Sequence, residues 1–392
     1  MVAHMFARAP QCDRADRTGG VGSADDVTEL MARFEHFAKT STRHTPLYAA
    51  ISRRVAREAD VAGLLLHAEA GQRIPVLLLA AVHDLLLSGL DHPLAACYPT
   101  VVDEPTGTPQ EAADHFVDLC RDHQDLVVAL VSSRSTQTNE IGRSAALRPV
   151  LVHLARRHGP LGLVEVGASA GLNLWFDRYH VDYELAGVTR GAGPEASPVR
   201  LRCGLVDDAD LPVEPDPAVA ARIGLDRSPV DLDEPAQDRW LLACTWPDEL
   251  ERFHRLQAAI VLARTEPAPV VRGDAVAGLA ELVLAVPAAA HPVVFHSWVL
   301  SYLDEDRQRA FAAEVARLGE LRPLSYVWME SRQLVPGLPA PARAAEREGA
   351  TEVVLVEHGR GDPDPVRLAE MHPHGRWLHW QASATTATLR AG

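Results

Sequence analysis

The run Leu161-Gly162-Leu163-Val164-Glu165-Val166 is short and apolar, and it leads directly into Gly167-Ala168-Ser169-Ala170-Gly171 and then Leu172 to Arg178. Read as strand, glycine-bounded turn and helix, this is a cradle for an anionic or zwitterionic ligand. Glycines let the backbone come close, and a helix start offers unpaired N–H groups. A dinucleotide needs G-x-G-x-x-G, but Ser169 and Leu172 stand where its second and third glycines belong. A serine nucleophile fits G-x-S-x-G at Ser169, with Asp274 and His374 following in the right order. That hydrolase fold sets several strands ahead of its nucleophile; here the preceding chain reads as helices, and no HGGG-type segment occurs in it. A cationic ligand is the third possibility. Glu165 lies two residues before the first glycine, where a positive group wants a carboxylate, and neither other reading uses it.

Further polar residues stand at strand ends or in loops. Asp226 closes the run from Ala221, and Asp274 closes the run from Pro269. His296 directly follows the apolar Pro292–Phe295. The carboxyl end of a parallel strand is where open α/β sheets hold ligands, so His296 reads either as a general base or as a hydrogen-bonded core histidine. Trp298 reads as a pocket wall or as core. Ser135 to Arg143 is the most unusual polar run. A helix N-cap accounts for one hydroxyl and one acid. The surplus of Thr136, Gln137, Asn139, Glu140 and Arg143 suggests a ligand-facing loop with donors and acceptors for a small polar molecule. His372, His374 and His379 are close, but Pro373 disrupts any helical ligand spacing; an exposed loop and no metal site are expected. His83-Asp84, inside an apolar stretch, reads as a buried hydrogen-bonded pair.

The elements that must position these residues fall into two kinds. From about Val27 to Arg157 the spacing is helical: Leu30, Phe34 and Phe37; Leu47, Ile51 and Val55; the all-round apolar Val76–Leu87; Phe116, Leu119, Leu126 and Leu130; and Ser144–Arg157. After Pro160 strands alternate with helices: Leu161–Val166, Ala221–Asp226, Pro269–Asp274, Pro292–His296 and Leu324–Met329, with helices expected over 236–264 and 304–318. Such alternation means a mostly parallel sheet covered on both faces. Thr351–Glu357 and Arg376–Gln381 are expected to close it as an antiparallel edge hairpin. Residues 179–220, rich in Gly, Pro and Asp, read as an insertion with a small hairpin around Val199–Leu205.

Charge and composition set outer limits. With 38 basic against 53 acidic side chains, the net charge is −15, which argues against a broad nucleic-acid-binding surface. Lys39 is the sole lysine, so no P-loop exists and no other lysine can form a Schiff base. The longest apolar stretch, Ile74–Leu87, carries Pro75, His83 and Asp84 and is too short and polar to span a bilayer. Five scattered cysteines without C-x-x-C fit a reducing cytoplasm. Residues 1–26 read as a mobile leader, 27–158 as a helical domain and 159–392 as the sheet domain.

Glu165-Val166-Gly167-Ala168-Ser169-Ala170-Gly171 resembles motif I of the class I S-adenosylmethionine-dependent methyltransferases, E/D-x-G-x-x-x-G. That resemblance implies S-adenosyl-L-methionine as cofactor, held by Glu165, Gly167, Ala168, Ser169, Gly171 and Asn173, with Asp226 on the ribose hydroxyls and Asp274 on the adenine amine. Val293–Leu303 resembles motif IV and its following helix, and the closing strands resemble that family's last two. Asp226 follows Gly171 by 55 residues, whereas nucleotide-binding sheets keep their ribose-binding acid about 20 residues on; the insertion must absorb the difference. The fourth strand also lacks the common acidic or Asn-Pro-Pro-Tyr-type signature.

The whole chain from about residue 30 resembles the bacterial DUF2332 family, through Leu47-Tyr48, Leu78–Asp84, Thr136–Glu140, Val164–Leu174, Trp246-Pro247 and Phe295–Trp298. The two resemblances together imply an α/β protein: a Rossmann-like methyltransferase sheet, mostly parallel with an antiparallel C-terminal hairpin, and an all-helical N-terminal cap domain. The expected activity is methyl transfer to a small-molecule substrate. His296 is the expected catalytic base, and Thr136, Gln137, Asn139, Glu140, Arg143 and Trp298 are expected on the acceptor. The alternative is a non-catalytic or differently acting ligand-binding protein on the same fold, since fold alone does not supply function.

Overall fold

The computed structural model describes residues 24–40, 45–137, 139–343, 345–359 and 363–381. Most of the leader expected over 1–26 lies outside the described residues. The chain divides into two compact units, 1–138 with 233–257, and 139–232 with 258–392. Ser144–His158 therefore belongs with the sheet, and Pro235–Ala243 belongs with the helices.

The helical unit contains Ala24–Thr40, Pro46–Val55, Pro75–Leu87, Pro109–Asp122, Gln124–Ser133 and Pro235–Ala243. Proline opens four of them, where its missing N–H costs nothing and its fixed φ suits the first turn. Thr108 and Glu111 add a reciprocal capping box. The expected helix 236–264 is in fact two, Pro235–Ala243 and Leu250–Thr265, with Trp246-Pro247 in the break. Pro75–Leu87 is buried from Pro75 to Leu86, as its lack of a polar face requires. His83 and Asp84 are both buried there but not as a pair. His83 Nδ1 donates to Ala243 O (3.1 Å), and its Nε2 accepts from Thr100 Oγ1 (2.7 Å). Asp84 instead accepts from Arg239 Nε (3.0 Å).

The second unit is built on one sheet of eleven strands: β1 (Leu161–Val166), β2 (His180–Leu185), β3 (Val188–Ala192), β4 (Arg200–Leu205), β5 (Val219–Asp226), β6 (Val270–Arg272), β7 (His291–Ser297), β8 (Leu324–Glu330), β9 (Thr351–His358), β10 (Val366–Met371) and β11 (Trp377–Trp380). Their spatial order is β3-β2-β4-β11-β10-β9-β8-β7-β1-β5-β6. The block β6-β5-β1-β7-β8 is parallel. From β8 the chain then meanders, with β9, β10 and β11 each antiparallel to its predecessor. The closing segment is thus three strands rather than a hairpin, and it is interior. β11 pairs parallel with β4, and β4 with β2. The insertion's hairpin is β2–β3, around Ala186 and Gly187, both at positive φ; Arg200–Leu205 is the separate strand β4.

Helices Leu279–Ala285 and Glu305–Leu321 cover one face, packing on Val164, Val166, Val294, Tyr326 and Trp328. Ser144–His158 lies on the other, where Tyr183 O–H donates to Ala145 O (2.7 Å). Alternation along a strand then fixes the face of every side chain. Val166 is in register with His296, and Glu165 with Phe295. His296 therefore points toward Glu305–Leu321, while Glu165 and Ser297 point to the opposite face. No helix among the described residues is long and apolar enough to cross a membrane.

Candidate functional site

The order of the parallel block creates a topological switch point. From β1 the sheet extends one way through β5 and β6, and the other way through β7 and β8. Ligands of open α/β sheets sit outside the strand carboxyl ends at such a point. Here those ends carry Glu165, next to last in β1, and Gly167 just after it, Asp226 at the end of β5, and Ser297 at the end of β7.

Glu165 is the buried centre of this set. Its Oε1 accepts from Asn173 Nδ2 (3.4 Å), and Asn173 Oδ1 in turn accepts from Ser144 Oγ (3.1 Å). Its Oε2 is buried with no hydrogen-bond partner. Burial pushes the Glu165 carboxyl up to about 8 and the Asp226 charge adds to this, against the Asn173 hydrogen bond and the Arg143 charge. At pH 7 the group is therefore mostly protonated. An orphaned polar atom in a native interior calls for a specific explanation, and Ser297 Oγ and Asn139 Nδ2 are two more such atoms.

Arg143 ties the surrounding backbone together. Its guanidinium is buried; Nη1 donates to Ser297 O (3.0 Å) and Nε to Pro373 O (3.0 Å). Glu140, also buried, accepts from Gly142 N–H (2.9 Å) at Oε1 and faces His374 Nδ1 (2.9 Å) at Oε2. Asn139, Glu140 and Arg143 thus stand in the sheet unit. Thr136 and Gln137 belong to the helical unit, where Thr136 N–H donates to Gln72 Oε1 (2.9 Å). The polar run is thus divided between the two units.

The glycine turn differs from the expected cradle. Gly167, Ser169 and Gly171 all have positive φ, and most of the turn's amides are already satisfied within the chain. Gly167 and Ala168 N–H donate to Leu225 O (2.7 and 3.2 Å), Ser169 N–H to Asp226 Oδ2 (2.8 Å), and Gly171 N–H to Ala168 O (2.7 Å). A side chain on Gly167 would overlap Val299, so close packing alone accounts for this glycine. Leu172–Arg178 is a 3-10 segment kinked at Trp175, not an α-helix; Arg222 stacks on Trp175 at 4.5 Å. The helix N-terminus on which an anion site would depend is missing.

The remaining candidates are held by other groups. Asp226 also accepts from Ser228 N–H (2.7 Å) through Oδ1. Asp274 caps the turn through Val276 and Ala277 N–H (3.0 and 3.1 Å) and pairs with Arg307, half-exposed. Slight burial raises its pKa, but the amides and Arg307 outweigh that and hold it below the usual carboxylate range. His296 is fully buried on the far face: Nδ1 bonds Glu330 Oε1 (2.9 Å), and Nε2 bonds Tyr326 O–H (2.8 Å). An ionised Glu330 only accepts, so Nδ1 carries the hydrogen and Nε2 takes the tyrosine hydroxyl's. With both nitrogens engaged and the sheet in between, His296 does not reach Glu165. Trp298 packs in the core at positive φ, its Nε1 donating to Thr351 Oγ1 (2.9 Å).

Glu330 is the organising residue that the sequence reading missed. Its Oε1 accepts from Val299 and Leu300 N–H (2.7 and 3.0 Å), which folds the turn after β7 and sets Val299 against Gly167. The available signal was an acid at the end of an apolar run, the same that marked Asp226. His374, expected in an exposed loop, sits in the tight β10–β11 turn against Glu140.

Residues 31–380 match the family described as "Uncharacterized protein conserved in bacteria (DUF2332)", and the chain belongs to that family. No curated protein matches the chain, and no solved structure matches it.

Proposed function

We propose that this member of the DUF2332 family transfers a methyl group from S-adenosylmethionine to a small polar acceptor, at the switch point of a Rossmann-like sheet. The observation that carries the reading is Glu165 Oε2, a buried carboxylate oxygen without a partner at the end of β1. S-adenosylmethionine supplies an electrophilic methyl group on a cationic sulfur. A cation beside Glu165 favours its ionised form, so a group mostly protonated at pH 7 gives up its proton as the ligand binds. Asp226 has spent one lone pair on each oxygen and keeps another on each for ligand hydroxyls. Ser297 Oγ and Asn139 Nδ2 offer a hydroxyl and a donor to a polar acceptor.

Calorimetry at pH 7 in two buffers of different ionisation enthalpy tests this. S-adenosylmethionine is expected to bind with release of most of one proton. Glu165→Gln is expected to abolish that release and to weaken S-adenosylmethionine more than S-adenosylhomocysteine, whose sulfur carries no charge. Absence of binding, or equal weakening of both ligands, refutes the reading. A second reading, a binding protein without turnover, is favoured by the engagement of both His296 nitrogens. Formation of S-adenosylhomocysteine in a metabolite extract separates the two.

A further inference from the structure

Resting on that reading, we propose that His374, oriented by the buried Glu140, is the base that takes the acceptor's proton. The acceptor therefore attacks through an atom that still bears hydrogen at neutral pH, an O–H or N–H group, and not through a carboxylate.

The dyad stands on its own geometry. Glu140 is 1% exposed and spends one oxygen on Gly142 N–H (2.9 Å) and the other on His374 Nδ1 (2.9 Å). An ionised carboxylate only accepts, so Nδ1 carries the hydrogen and Nε2 is the basic nitrogen. This is the arrangement of a base held by a third group. His374 keeps 22% of its side chain exposed, whereas His296 is wholly enclosed.

Two backbone contacts place the dyad. A side chain at Gly375 would overlap Gly142 O, and one at Gly142 would press on His374 O, so the two turns lock at backbone distance. Arg143 grips Pro373 O and Ser297 O with one guanidinium (3.0 Å each), which fixes the residue before His374 to the end of β7. Asn139 Nδ2, next to Glu140 in sequence, and Ser297 Oγ are among the buried polar atoms without partners. In the proton step the acceptor's bond to hydrogen breaks and both its electrons stay on the heteroatom. The Nε2 lone pair forms the new N–H bond. Glu140 remains ionised and stabilises the imidazolium. Charged and titratable groups around His374 include, among the described residues, Glu140, Arg143 and His372, whose ring centroid lies 5.6 Å away.

The full chain, labelled with nitrogen-15 in histidine, gives the test through long-range proton–nitrogen spectra between about pH 5 and 9. His374 is expected as the Nδ1–H tautomer, and Glu140→Gln is expected to lower its titration midpoint by about one pH unit or more. An Nε2–H tautomer, or a midpoint unmoved by Glu140→Gln, overturns the dyad whether or not an acceptor is in hand. With a metabolite extract, His374→Ala is expected to cut S-adenosylmethionine consumption about 10²–10⁴-fold at nearly unchanged S-adenosylmethionine affinity, with partial rescue by free imidazole. Full turnover by His374→Ala overturns the base. Failure of the wild type to bind S-adenosylmethionine removes the donor reading, while the spectra still decide the dyad.

Discussion

Replacing Glu165 by Gln should change how stability depends on pH, and the sign is fixed by burial. The carboxyl has an ordinary value of 4.5 and is pushed up to about 8 in the folded protein. Between those limits the folded state holds a proton that the unfolded chain has lost. Stability is therefore fully present below 4.5 and is lost as pH rises through about 8. At about 1.4 kcal/mol per pH unit, the loss amounts to about 5 kcal/mol at most. Gln keeps an oxygen for Asn173 Nδ2 and cannot ionise. At pH 6 the variant should lie within about 1–2 kcal/mol of wild type, the cost of one poorly matched buried amide. At pH 9 it should be the more stable by several kcal/mol. Urea denaturation at a series of pH values, followed by tryptophan fluorescence, reads the difference between the two proteins. Other titrating groups are common to both and cancel to first order. If wild type and Glu165→Gln lose stability in parallel from pH 5 to 9, Glu165 is not the buried neutral acid described here, and its orphaned oxygen is solvated.

Gly167→Ala should cost about 2–4 kcal/mol, from its positive φ and its overlap with Val299. Val299→Ala in the same chain should recover part of the loss; a thermal melt unchanged by Gly167→Ala would refute the packing account. His83 is depressed by burial to about 4 from 6.5, against its hydrogen bonds to the Ala243 and Thr245 backbone, which raise it. Its contribution is full above 6.5 and is lost as pH falls through about 4, by about 3 kcal/mol. His83→Gln should therefore flatten the acid limb of a urea-midpoint profile, and an unaltered limb would reassign it.

Runs of apolar residues made β1, β7, β8 and β9 legible, because strands buried on both faces carry little else. β10 was not legible: Val366–Met371 contains Arg367 and Glu370, and charges read as loop. In the fold Arg367 Nη1 meets Glu352 (3.2 Å) and Glu370 accepts from Glu346 N–H (2.8 Å), so the half-buried Arg367 and the buried Glu370 both have partners. The 3-10 segment after Gly171 is another miss. Its composition suits a helix, yet the chain kinks at Trp175, whose ring lies under Arg222 at 4.5 Å. At the site, Glu165 and Arg143 could be picked out as candidates from residue type. The exclusion of His296 could not, because it depends on register. His296 is aligned with Val166 and not with Glu165, and a slip of one residue would have reversed its face.

The pairing of β4 with β11, Gly204 with Trp377 and Leu205 with Leu378, also sets a clock. The insertion strands leave the ribosome well before their neighbour does. At roughly 5–20 residues per second, the edge of β4 waits on the order of ten seconds for β11 to be synthesised. An open strand edge is a template for pairing with other chains, so this interval is the vulnerable moment in the protein's biogenesis. A premature stop before Trp377 would make the wait permanent. Such a product would keep β1 and β5–β8 intact, yet it would be expected in inclusion bodies and bound to chaperones.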